Sequence, residues 1–116
     1  MTADITIGGK PIKLCGNAAT AIRYKAIFHR DLLMSFKGMS ADDFDADIIK
    51  ELAFVMAEQA QGADFKQVTF EDFVDWISQF EENDLLETAA DIINVWIVNT
   101  KSSATAKKKS APRSVN

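Results

Sequence analysis

The stretch TFEDFVDWISQF, Thr69 to Phe80, carries the clearest amphipathic pattern in the chain. Phe70, Phe73, Val74, Ile77 and Phe80 recur at helical spacing and share one side at about 100° per residue. Glu71, Asp72 and Asp75 take the other side. Thr69 is a suitable N-cap, and Glu71 and Asp72 put negative charge where free backbone N–H groups and the macrodipole favour it. The spacing predicts a helix whose apolar stripe must bury itself on a partner surface.

Upstream, DITIGGKPIKL places Ile5 and Ile7 before a Gly8-Gly9 pair, and Ile12 and Leu14 after it. The pair supplies the positive φ of a tight turn, so the pattern predicts a short β-hairpin that lies on helices, with Pro11 at an edge position. Asn17 reads as an N-cap for a helix from about Ala18 to Phe36, ended by Lys37 and Gly38. Its main stripe is Ala21, Tyr24, Phe28, Leu32 and Phe36. Ile27 and Met34 fall on the far side beside Arg23 and Arg30.

A further helix is expected from about Asp42 to Ala60, because Ser40 to Asp43 has the S-x-x-D form of a start and Gly62 marks the end. Phe44, Ile48, Leu52, Val55 and Met56 form its stripe, with Phe54 stranded among Asp47, Lys50, Glu51 and Glu58. After the linker from Gly62 to Val68 comes the Thr69 helix, then a last helix from Asn83 or Asp84. Leu85, Leu86, Ala89, Ile92, Ile93, Trp96 and Ile97 cover a broad face of it, on which the Thr69 stripe is expected to pack. From residue 101 the chain reads KSSATAKKKSAPRSVN, with too little apolar material to repay ordering. The fold class is therefore mainly α: one domain over residues 1–100, an N-terminal hairpin followed by a compact bundle of about four helices, and a disordered basic tail over 101–116.

Composition adds constraints. A chain of 116 residues holds one modest core. No apolar run approaches the roughly 20 residues that span a bilayer, MTADITIGG does not read as a signal peptide, and Cys15 has no second cysteine to pair with. A cytosolic setting is expected, with no membrane partner. The last 16 residues carry five basic side chains and no acid, which leaves eight basic residues against 17 acids, a net −9, in the body.

Candidate chemistry is sparse. His29 stands alone, and one His with one Cys on different elements provides neither a nucleophile with its base nor a zinc ligand set. Asp43, Asp45 and Asp47 begin like a calcium loop, but Ile48 and Phe54 occupy the positions that require Gly and Glu. The expectation is a protein that is not an enzyme, with no cofactor, no metal and no catalytic residue. Five tail charges without interleaved aromatics carry no sequence readout, so no specific nucleic acid is expected. Ile27, Met34 and Phe54 stay unexplained by the core stripes: the hairpin or a loop covers them, or they form a partner-binding patch with Arg23 and Arg30 at its rim. Trp76, on the border of the Thr69 stripe, packs at its flank or edges the same site.

In order and character, the ITIGGKPIKL hairpin, the following helix with its DLLMSF end and the TFEDFVDWI helix resemble the tail assembly chaperones of long-tailed, siphovirus-like bacteriophages, over most of residues 4 to 98. The resemblance implies a small helical protein of the host cell cytoplasm that binds the tape measure protein, keeps it soluble, helps recruit tail tube subunits and is absent from the virion. It also implies that a ribosomal −1 frameshift yields a longer form that recruits the tail tube protein; the Lys107 to Lys109 run would be encoded by an A-rich, slippery stretch. Self-association on the client stays open. The competing class is a small acidic helical regulator that sequesters a transcription factor or enzyme.

Overall fold

The computed structural model describes the backbone of residues 2–37 and 44–110, and side chains within these as far as Val98. The chain opens with an antiparallel hairpin, β1 (Thr2–Ile7) and β2 (Lys10–Cys15), in the register Ile5 opposite Ile12 and Ile7 opposite Lys10. Gly8 and Gly9 both take positive φ, 58° and 81°, which is the two-residue turn whose twist matches the strands. Ile7 and Lys10 close that turn as a hydrogen-bonded pair, so the next pair, Thr6 and Pro11, is a non-bonded one. Pro11 consequently sits where no ladder donor is needed. The inward face carries Ile5, Ile7, Ile12 and Leu14, while Asp4 and Lys13 pair outward at 3.7 Å.

The expected helix from Ala18 to Phe36 is two helices, α1 (Ala19–Phe28) and α2 (Leu32–Phe36). Asn17 does cap the first: its Oδ1 accepts the Ala19 N–H at 2.8 Å, and the Thr20 hydroxyl accepts the Asn17 N–H at 3.0 Å. The break has two local causes. His29 adopts the left-handed conformation, with φ 60°, and its N–H closes on the Lys25 carbonyl. Asp31 then starts α2 by accepting the Met34 N–H. Despite the break, Tyr24, Phe28 and Leu32 all remain buried, so the stripe keeps its inward direction through the corner.

The next helix, α3 (Ala46–Ala60), begins later than the S-x-x-D signal implied; Asp45 caps it by accepting the Asp47 N–H, and Asp47 lies in its first turn. The expected start at Ser40 to Asp43 lies outside the described residues. Beyond Gln61, Gly62 takes φ 72° and Ala63 donates to the Glu58 carbonyl, the left-handed closure that Gly permits. Nine residues of α3 are buried, including every position from Glu51 to Ala57. This is the central helix. β2 and α5 (Glu82–Ser110) contact it, as do α1 and α4 (Phe70–Ile77).

In α4 the Thr69 side chain accepts the Asp72 N–H while Asp72 accepts the Thr69 N–H, a complete capping box. The helix does not bury its stripe on the last helix as expected. Its aromatic contacts go to α1 and α3: Phe73 meets Phe28 at 5.1 Å and Phe54 at 5.6 Å. Phe70 stays 52% exposed, and Phe80 lies past the helix end, edge-on to Trp76 at 5.1 Å. From α5, Leu85, Ala89, Ile92, Val95 and Trp96 enter the core, with Leu86 and Ile97 left outside. The backbone of α5 is helical to Ser110, through the first ten residues of the tail expected to be disordered over 101–116; side chains from residue 99 and the rest of that tail, residues 111–116, fall outside the described residues.

Two close approaches lock the hairpin to α5. A side chain at Gly8 would run into the Asp84 carboxylate, and a Cβ at Gly16 would lie 3.1 Å from the Trp96 Cα and 3.3 Å from the Met56 sulfur. Lys10 adds a tie to the end of α4, donating to Gln79 at 3.3 Å and standing 5.8 Å over the Phe80 ring.

Candidate binding cleft

A cleft of about 360 Å³ opens where α4 lies across α3 and the start of α5. Phe70, Phe73, Ile77, Phe80 and Leu85 supply its apolar surface. The first three come from α4, where the i, i+3, i+7 spacing set by the Thr69 capping box turns them the same way. The polar wall is made by Asp47, Lys50 and Glu51 of α3 with Glu81 and Glu82 at the entrance to α5. Lys50 is already engaged, at 2.6 Å from Glu82 and 3.7 Å from Asp47. With Lys50 neutralised and Glu51 buried, Asp47, Glu81 and Glu82 leave the rim acidic.

Behind the cleft, Glu51 is 5% exposed and doubly tied. The Tyr24 hydroxyl donates to its Oε1 at 2.5 Å and Arg30 donates to its Oε2 at 2.7 Å. Burial pushes the Glu51 carboxyl above its ordinary value, against the opposing pull of the Tyr24 hydrogen bond and the Arg30 charge. Tyr24 is pushed up in turn, by burial first and then by the carboxylate it bonds. A buried charge needs such partners, and here they also join the α1–α2 corner to the cleft wall. On the α3 face toward α4, Glu58 is likewise raised by burial, with Asp72 a nearby like charge.

The side chains expected to form one partner patch are dispersed. Phe54 is 1% exposed, because α4 covers the face of α3 on which helical angle alone strands it. It packs between Phe73 and Trp76, at 5.6 and 5.7 Å, and is corrected here from surface to core. Trp76 is half-buried between Phe54 and Phe80, the flank-packing alternative. Arg23 stacks on Phe65 at 4.3 Å and donates to Gln59, while Arg30 reaches Glu51. Gln59 and Glu51 lie eight residues apart on α3, about 12 Å along the axis, so the two guanidinium groups do not share a rim. Ile27 is half-buried against the core; Met34 stands 62% exposed on α2 beside Leu33 at 65%.

Sequence reasoning placed the Thr69 stripe in the core and so missed the cleft it half-lines. The available signal was the stripe's density: four large apolar residues, Phe70, Phe73, Val74 and Ile77, within eight positions, with Phe80 just beyond, exceed what one neighbouring helix covers. Glu51 gave no signal, since its partners Tyr24 and Arg30 are 27 and 21 residues away. His29 is exposed and Cys15 half-buried, and among the described residues no cluster of potential metal ligands occurs. No helix among them is long and apolar enough to cross a membrane. Comparison with protein-family models, with curated proteins and with solved structures returns no match for this chain.

Proposed function

We propose that this protein is a tail assembly chaperone of a long-tailed bacteriophage, a non-enzymatic binder that holds helices of the tape measure protein in solution in the host cytoplasm. The observation that carries the reading is the acid-rimmed apolar cleft under α4, with Phe70 at its mouth still half exposed. A chaperone for long amphipathic helices needs apolar surface that is accessible on the isolated protein and charge around it that keeps the complex dissolved. The resemblance of the hairpin and of the DLLMSF and TFEDFVDWI segments supports the specific client. In this role a frameshifted longer form, made at the codons for Lys107 to Lys109, recruits tail tube subunits, and neither form stays in the virion.

The test is co-expression with the product of the very long, coiled-coil-rich frame expected downstream of the gene. The expected result is a soluble complex that co-elutes on sizing, weakened by Phe70→Ser and Met34→Asp, which alter exposed positions. A client that stays insoluble alongside a soluble, folded partner rejects the role. The net −9 body favours one other reading, a regulator that sequesters a basic transcription factor or enzyme. A gene neighbourhood without the long frame would move the proposal to that class.

A further inference from the structure

We infer that the cleft takes a basic amphipathic helix: apolar residues at i, i+4 and i+7 seat between Phe70, Ile77 and Leu85, and flanking Lys or Arg side chains meet Asp47, Glu81 and Glu82. The inference rests on the reading of this protein as a binder of a helical client and names the chemistry of that client's docking segment.

Charge selects the sign of the occupant. Lys50, the one cation of the wall, is held by Glu82 and Asp47, and Glu81 forms no ion pair among the described residues. The adjoining α4 contributes only apolar side chains to the cleft and has no basic residue; its acids Glu71, Asp72 and Asp75 lie on its other side. An acidic segment entering here meets like charge on the wall built from α3 and the start of α5, whereas a basic one gains partners and on-rate.

Backbone chemistry selects the shape. The cleft is walled by helices and by the short link between α4 and α5, where the Phe80 and Glu81 N–H groups already donate to the Ile77 carbonyl and the Asp84 carboxylate, so an extended peptide finds few free donors. A helix brings its own backbone bonds and needs only side-chain pockets. The volume of about 360 Å³ lies at the small end for ligand pockets, suited to a few anchoring side chains. The chain's own tail has the right charge, but its segment KSSATAKKKSAPRSVN holds no apolar side chain larger than proline or valine and cannot fill a cavity walled by phenylalanines. The occupant is therefore a partner.

The test uses the full chain with two synthetic, hydrocarbon-stapled helices of roughly five turns, both with Leu at i, i+4, i+7 and i+11. One carries Lys at the flanking positions and its twin carries Glu. Binding is read by fluorescence anisotropy, and the site by 1H–15N NMR shifts. The Lys peptide is expected to shift Lys50, Phe70, Ile77 and Glu81, and to bind on the order of tenfold tighter than its twin at low salt, with the difference shrinking as salt rises. Asp47→Lys with Glu81→Lys is expected to invert the preference; Glu81→Lys alone, outside any helix, reduces it should the double variant fail to fold. Equal binding of the twins, shifts confined to another face, or an unchanged preference in a folded variant overturns the inference. If the tape measure protein co-purifies while the twins bind alike, the cleft assignment falls and the chaperone role stands. If the Lys peptide seats in the cleft while no tape measure protein co-purifies, the reverse holds.

Discussion

Replacing Phe54 separates the two positions that this residue could have held, on the surface or in the core. Helical angle groups it with Asp47, Lys50, Glu51 and Glu58, and a surface substitution there would change stability by less than about 0.5 kcal/mol. In the folded chain its ring is 1% exposed and lies 5.6 Å from Phe73 and 5.7 Å from Trp76. Phe54→Ala therefore removes a buried ring and leaves a cavity under α4, a loss of about 3–5 kcal/mol, and the two aromatic contacts place it toward the upper end. Set against a typical total of roughly 5–15 kcal/mol for a domain, the variant is marginal but measurable. In urea, with a slope of about 2 kcal/mol/M, the midpoint should fall by about 2 M. Phe54→Met, which keeps most of the volume, should lose less than about 1.5 kcal/mol, and Met34→Ala, at an exposed position, should stay within about 0.5. A Phe54→Ala midpoint indistinguishable from that of Met34→Ala would refute the placement of α4 over α3.

Two further outcomes follow from the packing and the electrostatics. Gly16→Ala should cost about 1–3 kcal/mol, because the Trp96 backbone cannot yield to a Cβ 3.1 Å away even if the Met56 side chain does; calorimetry should register a lower melting temperature, and an unchanged one would mean the hairpin is not seated on α5. Glu51 and Glu58 hold their protons more tightly folded than unfolded, since burial raises both above the ordinary carboxylate value. Their contribution is fully present below that value and is lost as pH rises through the raised folded value. Glu58→Gln should thus be more stable than the parent near neutrality and flatten the part of the urea-midpoint profile above the ordinary carboxylate range; a variant less stable at neutral pH would contradict the burial and Asp72 repulsion invoked for Glu58.

How far the chain was legible depended on the range of the interaction. Gly8-Gly9 between the pairs Ile5 with Ile7 and Ile12 with Leu14 set the hairpin, its turn and the side facing the core, since turn geometry and period-2 patterning are local. Thr69 before α4 and Gly62 after α3 fixed helix ends for the same reason, whereas the Asp45 cap of α3 was not read, because the Ser40 to Asp43 pattern offered an earlier start. The inward stripe of Tyr24, Phe28 and Leu32 was also legible, even though the helix carrying it breaks at His29, because the break rotates the chain without reversing that face.

What the sequence could not decide is how many sides each helix presents to neighbours. Periodicity assigns one apolar face and leaves the opposite face polar, yet the middle of α3, Glu51 to Ala57, is buried at every position; Phe54 and Glu51 are buried only because α4 and the Arg30 corner, distant in sequence, close over them. The opposite holds for the stretch from Thr69 to Phe80. Its pattern determined by itself that a capped amphipathic helix forms. Only tertiary packing decided that Phe73 would be core, that Phe70 and Ile77 would line a cleft, and that acids from α3 and α5 would form its rim, because those positions are set by long-range docking of helices and not by any spacing within one of them.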